Sequence, residues 1–237
     1  MSAPVFLAGD LAGDRILLDG AEGRHAAGSR RLQPGEAVDL VDGLGTRATC
    51  RVVRSGRDEV LLEVVARAYE PEPTPRLVLV QALPKGDRGE LAVELATEVG
   101  VDEIVPWLAA RCVMQWKGER GERQRERWQA SAREATKQSR RAWVPMVAAL
   151  HTTAQLTARL AGVTVLVLHE AAGTRLTALT PPAAGEVALV VGPEGGITAD
   201  ELDALGGTAV RLGPTVLRTS TAGAAAAAVL SARTGRW

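Results

Sequence analysis

Residues Val187 to Leu230 read VALVVGPEGGITADELDALGGTAVRLGPTVLRTSTAGAAAAAVL, and this stretch decides the fold. Two short runs, Val187 to Val191 and Thr208 to Arg211, each feed a loop dense in glycine, proline and polar side chains. The first loop is Gly192-Pro193-Glu194-Gly195-Gly196, and the second runs from Leu212 to Thr221. An apolar run bounded by such turn chemistry predicts a buried strand ending in a tight loop. Two such loops can lie side by side at the carboxyl ends of neighbouring strands, where open α/β sheets bind ligands. Glycine lets the backbone approach a ligand closely, and Pro193 and Pro214 stiffen the loops. The second loop enters Thr219-Ser220-Thr221 and an alanine tract, which predicts a helix with Thr219 or Ser220 as N-cap. The first amides of that helix suit a carboxylate or a phosphate. Neither G-x-G-x-x-G after a strand nor G-x-x-x-x-G-K-[ST] occurs, so the loops point to neither a dinucleotide nor a triphosphate pocket. Spacing alone leaves two readings open, a cofactor pocket and a pair of structural turns.

Upstream of this stretch the pattern alternates between strand and helix. Leu77 to Leu83 is an apolar strand, followed by the loop Pro84-Lys85-Gly86-Asp87-Arg88 with Asp87 as helix cap. Arg88 to Val99 reads as a helix with Leu91, Leu95 and Val99 on one face and Gly100 as its stop. Further strands are expected at Glu103 to Leu108, Val144 to Leu150 and Val163 to Leu168, with helices from about Gly121 to Arg140 and from Thr152 to Ala161. Near-continuous apolar strands separated by helices predict a parallel sheet covered on both faces. His169 closes a strand, where a histidine is more often a hydrogen-bonded structural residue than a base. Charged residues crowd positions 117 to 143, and Glu122, Glu126 and Glu134 stand at helical spacing from arginines, the mark of a solvated helix face.

Residues 1 to about 69 look different. Strands are expected at Arg15 to Leu18, Glu36 to Asp42, Thr46 to Val53 and Glu59 to Ala66, a spacing that suggests a small barrel. The segment Gly23 to Leu32 is basic, and on charge alone it reads as a solvated loop or one helical turn. Glu70-Pro71-Glu72-Pro73-Thr74-Pro75 forbids a helix and reads as a semi-rigid linker, so domains are expected at 1–70 and 76–237. Lysine plus arginine number 28 and aspartate plus glutamate 28, so any nucleic-acid surface must be local. Cys50 and Cys112 lie far apart, as reduced thiols would, and no metal-ligand spacing appears. No apolar run is long enough to span a bilayer and no secretory signal is evident, which leads to an expectation of a soluble, cytoplasmic protein.

The pair VVGPEGGIT…E and LGPTVLRTSTA resembles the RsmE family of SPOUT methyltransferases. So do Lys85-Gly86-Asp87-Arg88, Ala96 to Val101, Arg127-Trp128, Glu134-Ala135 and Gln138-Ser139-Arg140-Arg141, in family order along nearly the whole chain. The resemblance implies an α/β fold: a C-terminal SPOUT-type parallel sheet with a trefoil knot, plus a small N-terminal PUA-like β-barrel that grips RNA. It implies methylation of uridine N3 in 16S rRNA of the small ribosomal subunit, with S-adenosylmethionine (SAM) as cofactor and a homodimer as the working unit. Carried over by motif, the cofactor pocket comprises Leu168, His169, Glu170, Val191, Gly192, Pro193, Glu194, Gly195, Gly196, Ile197, Leu212, Gly213, Val216, Leu217 and Arg218. RNA contacts fall on Arg24, Arg30, Arg31, Lys85, Arg88, Arg140 and Arg141. Arg218, with its permanently charged fork of donors, is the candidate catalytic residue. The helix from Ala222 to Ala232 is either part of the dimer interface or an internal helix on the sheet. The family usually carries glutamate where this chain has Ser220, which puts an acidic role at 220 in doubt. Two other readings stay open: a SPOUT enzyme methylating ribose 2′-O in tRNA or rRNA, and a non-catalytic RNA-binding ribosome assembly factor.

Overall fold

Alternating burial along the first strands builds the N-terminal core. The computed structural model describes residues 3–237. They divide into two units, one of residues up to 72 together with 136–144, the other of 73–135 and 145–237. The first unit contains β1 (Val5–Leu7), β2 (Arg15–Leu18), α1 (Gly20–Arg24), β3 (Ala37–Val41), β4 (Thr46–Ser55) and β5 (Val60–Tyr69). Its sheet runs in the order β1-β3-β4-β5-β2, and only the β1–β3 pair is parallel. Phe6 of β1 and Leu18 of β2 stand at opposite ends of that order, yet both belong to one buried cluster with Leu40, Cys50 and Leu62. The sheet must therefore curl, helped by register shifts in β4 at Thr49/Cys50 and Val52/Arg54. The expected small barrel takes this form, a curled five-stranded sheet. Burial pushes the Cys50 thiol up to about 11, with Asp39 adding to the effect, so it stays protonated and unreactive.

A domain boundary drawn at 70–76 misses one return of the chain. Residues 136–144 pack with the first unit because Trp143 and Val144 cover the turn at Gly43-Leu44-Gly45. The Trp143 indole N–H donates to the Glu70 carbonyl at 2.8 Å, and a side chain at Gly45, whose φ is +101°, would strike the Trp143 ring.

The second unit is a parallel sheet. Its strands are β6 (Arg76–Ala82), β7 (Glu103–Leu108), β8 (Met146–Val147), β9 (His151–Thr152), β10 (Thr164–Leu168), β11 (Glu186–Val191) and β12 (Thr208–Val210). The order is β12-β10-β11-β6-β7-β8, with β9 also on β7. The helices are α2 (Arg88–Glu98), α3 (Gly118–Gln138, in this unit up to 135), α4 (Thr153–Arg159), α5 (Ala199–Leu205) and α6 (Thr219–Arg233). Alternate residues of β6 and β11 serve opposite faces. Leu77, Leu79, Leu189 and Val191 meet α2, α3 and α6, whereas Val78, Val80, Ala188 and Val190 meet α4 and α5 through Leu156, Leu160 and Leu205. This is the expected parallel α/β sheet, buried on both sides, and it accounts for the continuous apolar strands.

Three details depart from the periodicity. The buried face of α2 is Gly89, Ala92, Val93, Ala96 and Thr97, while Leu91 is exposed. The Trp128 ring lies so close to Gly89 that a side chain there would overlap it at 2.5 Å, so small residues, not leucines, face the neighbouring helices. The strand expected over 144–150 is reduced to two-residue β8 and β9, because Pro145 and the change of register leave only those residues paired with β7. The alanine helix α6 is internal: Ala226, Ala227 and Leu230 are buried on the sheet, and Gly223 lets it approach Leu79 and Val191.

The amino ends of the strands carry a partly buried ionic network centred on Glu103. Arg76 meets Glu103 at 2.8 Å and Glu186 at 3.0 Å, and Arg159 meets the same two carboxylates at 3.0 and 2.7 Å. Burial alone would raise the Glu186 pKa, but bonds and charges from Arg159 and Arg76 outweigh it and hold the carboxyl below its ordinary value. Glu103 is almost fully buried. Replacing it with alanine leaves two arginines facing only Glu186 and is expected to cost about 3–5 kcal/mol. A urea titration checks this, and an unchanged midpoint would show that the network contributes nothing.

Candidate functional site

At the carboxyl ends of β10, β11 and β12 the chain leaves the sheet in three loops, and they surround a cavity of about 520 Å³. That volume lies in the range of small-molecule sites. All fifteen positions assigned to a cofactor by motif line it: 168–170, 191–197, 212, 213 and 216–218. Seven further residues share the wall: Arg88, Arg111, Val210, Arg211, Thr215, Thr219 and Ala222.

The loop after β11 is shaped by close packing. A Cβ on Gly192 would lie 2.5 Å from the Ile197 side chain, and one on Gly195 would lie 3.0 Å from the Arg111 Cβ. Gly196 adopts φ +78°, the left-handed region that favours glycine, and its N–H donates to the Pro193 carbonyl at 2.9 Å. The backbone of this loop therefore forms the wall, as a site that holds a ligand through main-chain groups requires. Two side chains tie the loop down. Arg111 Nη1 donates to the Gly195 carbonyl at 2.9 Å. Glu194 Oε1 accepts the Lys85 backbone N–H at 3.2 Å and stands 3.6 Å from Arg88 Nη1. Glu194 thus joins the Lys-Gly-Asp-Arg loop to the Gly-Pro-Glu-Gly-Gly loop. Arg88 lies in the cavity wall with an acidic partner, while Lys85 is exposed.

A second carboxylate anchors the same loop from behind. Glu201 Oε1 accepts the Ala110 N–H at 2.7 Å and the Thr153 hydroxyl at 3.2 Å, while Oε2 accepts the Thr198 N–H and hydroxyl at 3.1 and 3.0 Å. Burial alone would raise its pKa, but these four bonds outweigh it and hold the carboxyl below its ordinary value. Thr198 and Glu201 also form the capping box of α5.

The loop after β10 holds His169 by two hydrogen bonds. Its Nδ1 accepts the Ala171 N–H at 3.2 Å, and its backbone N–H donates to the Val210 carbonyl at 2.9 Å. The loop after β12 ends in α6, whose N-cap is Arg218 and not Thr219 or Ser220. The Arg218 carbonyl accepts from Thr221 and Ala222, no side chain caps the helix, and Thr219 and Ala222 of its first turn line the cavity. Ser220 is buried and is not part of the wall. Arg211 and Arg218 make no ion pair with any of the described residues.

The remaining RNA candidates, Arg24, Arg30, Arg31, Arg140 and Arg141, all fall in the first unit. Arg24 ends α1, and a π-helical turn, His25–Ser29, carries the chain on to Arg30 and Arg31. Arg31 and Arg140 have φ of +52° and +58°, a region that costs a non-glycine residue about 1 kcal/mol or more. Lys137, with only 4% of its side chain exposed, donates from Nζ to Glu22 Oε1 at 2.8 Å, and Arg47 Nη2 donates to the Arg140 carbonyl at 2.8 Å. These bonds bring the Arg24–Arg31 segment and the Arg140-Arg141 segment onto one body, which nothing in their sequence spacing of more than a hundred residues announces.

Residues 70–231 match the family described as an RNA methyltransferase domain, and 18–65 the one described as an RNA methyltransferase PUA domain. The ribosomal RNA small subunit methyltransferase E of Mycobacterium bovis is 49% identical over 229 residues, covering 93% of this chain and 87% of that protein. Its namesake in Bacillus subtilis is 29% identical, covering 92% and 90%. The structure of ribosomal RNA small subunit methyltransferase E from Neisseria gonorrhoeae bound to S-adenosyl methionine matches with a TM-score of 0.86 at 26% identity, over 98% of each chain. Among the described residues no helix is long and apolar enough to cross a membrane, and no group of three His, Cys, Asp or Glu could hold a metal ion. With nearly its whole length matched at this identity, the chain belongs to the ribosomal RNA small subunit methyltransferase E family.

Proposed function

We propose that this SAM-dependent rRNA methyltransferase transfers a methyl group to N3 of a uridine in 16S rRNA of the small ribosomal subunit. One observation carries the reading: a single cavity at the carboxyl ends of β10, β11 and β12 gathers every motif residue expected to hold the cofactor. The fit is chemical as well as spatial. Close-packed glycine backbone at Gly192 and Gly195 exposes amides and carbonyls, and the uncapped first turn of α6 offers further amides to a carboxylate. When bound, SAM supplies a methyl group already activated by its sulfonium, so the protein's work is to position both partners.

Uridine N3 lies on the Watson–Crick edge, so the base must be unpaired or flipped to enter. N3 carries a proton that leaves, and negative charge grows on the ring and its carbonyl oxygens. Arg218 at the cavity wall is suited to stabilise that charge. Glu194 is engaged with Lys85 and Arg88, and Glu170 is exposed, so no wall carboxylate stands free and buried as a base. Solvent takes the proton in this reading.

The region 1–70, joined by the return of residues 136–144, is the RNA-binding domain, and the rest of 76–237 is the SPOUT methyltransferase domain. The protein works in the cytoplasm as a homodimer. Arg24, Arg30 and Arg31 are exposed and, with Arg140 and Arg141 on the same unit, supply the RNA-backbone contacts. Changing Arg24, Arg30 and Arg31 together to alanine is expected to weaken binding to small ribosomal subunits by about 10-fold or more and to flatten its salt dependence by roughly three units of slope. Filter binding across a salt series checks this; an unaltered slope would remove these arginines from the interface.

The decisive experiment is incubation with labelled SAM and small subunits lacking native modifications, followed by nucleoside analysis. Label in 3-methyluridine establishes the reading. Label in a 2′-O-methyl nucleoside keeps the enzyme and replaces the target.

A further inference from the structure

The charges around the cavity do not match its cofactor. Six charged residues line it: Arg88, Arg111, Arg211 and Arg218 against Glu170 and Glu194, a formal surplus of two positive charges. Arg88 and Glu194 face each other at 3.6 Å, and among the described residues Arg111, Arg211 and Arg218 make no ion pair, with Glu170 the one other carboxylate on the wall. SAM is itself a net cation, since its sulfonium and ammonium outnumber its carboxylate. The demethylated product is neutral. A cavity built for that cofactor alone would not gather arginines that lack acidic partners, because like charges in a partly desolvated site repel. These arginines have the geometry for an anion: a planar fork that binds phosphate oxygens.

Resting on the functional reading above, we propose that Arg111, Arg211 and Arg218 form a phosphodiester subsite for the substrate RNA, and that RNA and the cationic cofactor therefore bind cooperatively. RNA phosphate neutralises the rim, which removes the repulsion that a positive cofactor meets in the free protein. Linkage makes the effect mutual: the cofactor tightens RNA to the same degree that RNA tightens the cofactor. The neutral product gains nothing from the phosphate, so methyl transfer itself weakens the coupling and favours release. Arg111 is held to the Gly195 carbonyl and Arg211 is held through its backbone to Thr174 and Leu176, so both guanidinium groups start from fixed points on the wall.

The test compares two ligands of similar shape and different charge. S-adenosylhomocysteine is neutral, and sinefungin carries an amine in place of the sulfonium methyl and cannot react. Their affinities are measured by calorimetry on the full chain, alone and with small ribosomal subunits. Adding subunits is expected to shift the ratio toward sinefungin by about three- to tenfold, the size of one moderately screened charge interaction. R211Q is expected to shift the ratio the same way in the free protein and to reduce the response to subunits; R111Q serves as a second variant. Arg211 makes no side-chain bond among the described residues, so its loss leaves the fold in place. A ratio unmoved by subunits and by both variants overturns the proposal while leaving the cofactor assignment intact. Failure of both ligands to bind, with and without subunits, overturns the functional reading itself.

Discussion

Replacing Arg218 with alanine is expected to lower the single-turnover rate of methyl transfer by about two to three orders of magnitude, the usual effect of losing one charge-stabilising donor. Affinity for SAM is expected to change only a few fold. The backbone at this position is set independently of the side chain: the Arg218 carbonyl accepts from Thr221 and Ala222 at 2.9 and 3.0 Å, and the side chain caps nothing. The substitution therefore removes a guanidinium from the cavity wall and little else. Lysine at 218 keeps the charge but not the planar fork, so R218K should recover only part of the rate. Rates with unmodified small subunits, read beside equilibrium SAM binding, separate two roles. A rate loss at constant SAM affinity assigns Arg218 to the RNA substrate, and a loss that persists at saturating subunits assigns it to the reacting base. An equal fall in both makes it a cofactor ligand, and an unchanged rate excludes it from the chemistry.

Replacing buried Glu201 with alanine is expected to cost about 3 kcal/mol of stability, because it strips partners from the Ala110 N–H and from Thr153 and Thr198. The damage reaches the cavity. Ala110 precedes Arg111, which holds Gly195, and Thr198 follows Ile197 of the wall, so one carboxylate aligns both loops. SAM affinity is expected to fall on the order of tenfold as this pre-organisation is lost. The pH dependence carries the same signature. The folded carboxyl titrates below its ordinary value, so the unfolded chain binds the proton more readily. Its stabilisation is complete above about pH 4.3, the ordinary glutamate value, and disappears as pH falls through the lower folded value. Thermal melts of wild type and E201Q should therefore converge in acid. Melting temperatures that stay a constant interval apart would show that Glu201 is not the titrating group.

Much of the site was legible in one dimension. The run Val187 to Val191 ends in a glycine-proline loop, and the structure puts that loop on the cavity with every motif residue beside it. Two signals were present in the sequence but easy to pass over. Thr198-x-x-Glu201 is a capping box, and it marks α5, a helix too short to show periodicity. Arg111 follows the carboxyl end of β7, and strand ends of a parallel sheet are where ligands lie. The leucine spacing of α2 points to the wrong face as the buried one. Trp128 instead needs the small side at Gly89 and Ala92, and helix packing, not hydrophobicity, chose the face.

By itself the sequence determined the local chemistry: which runs become strands, where glycine must sit, and which loops carry donors. Those properties follow from side-chain size, backbone freedom and periodicity within a few residues. The tertiary structure decided everything that depends on neighbours distant in the chain. It paired Glu194 with Arg88 across more than a hundred residues, placed 136–144 with the N-terminal sheet, and left Arg211 and Arg218 without acidic partners among the described residues. Charge balance and burial are sums over surroundings, and only the folded chain supplies the surroundings.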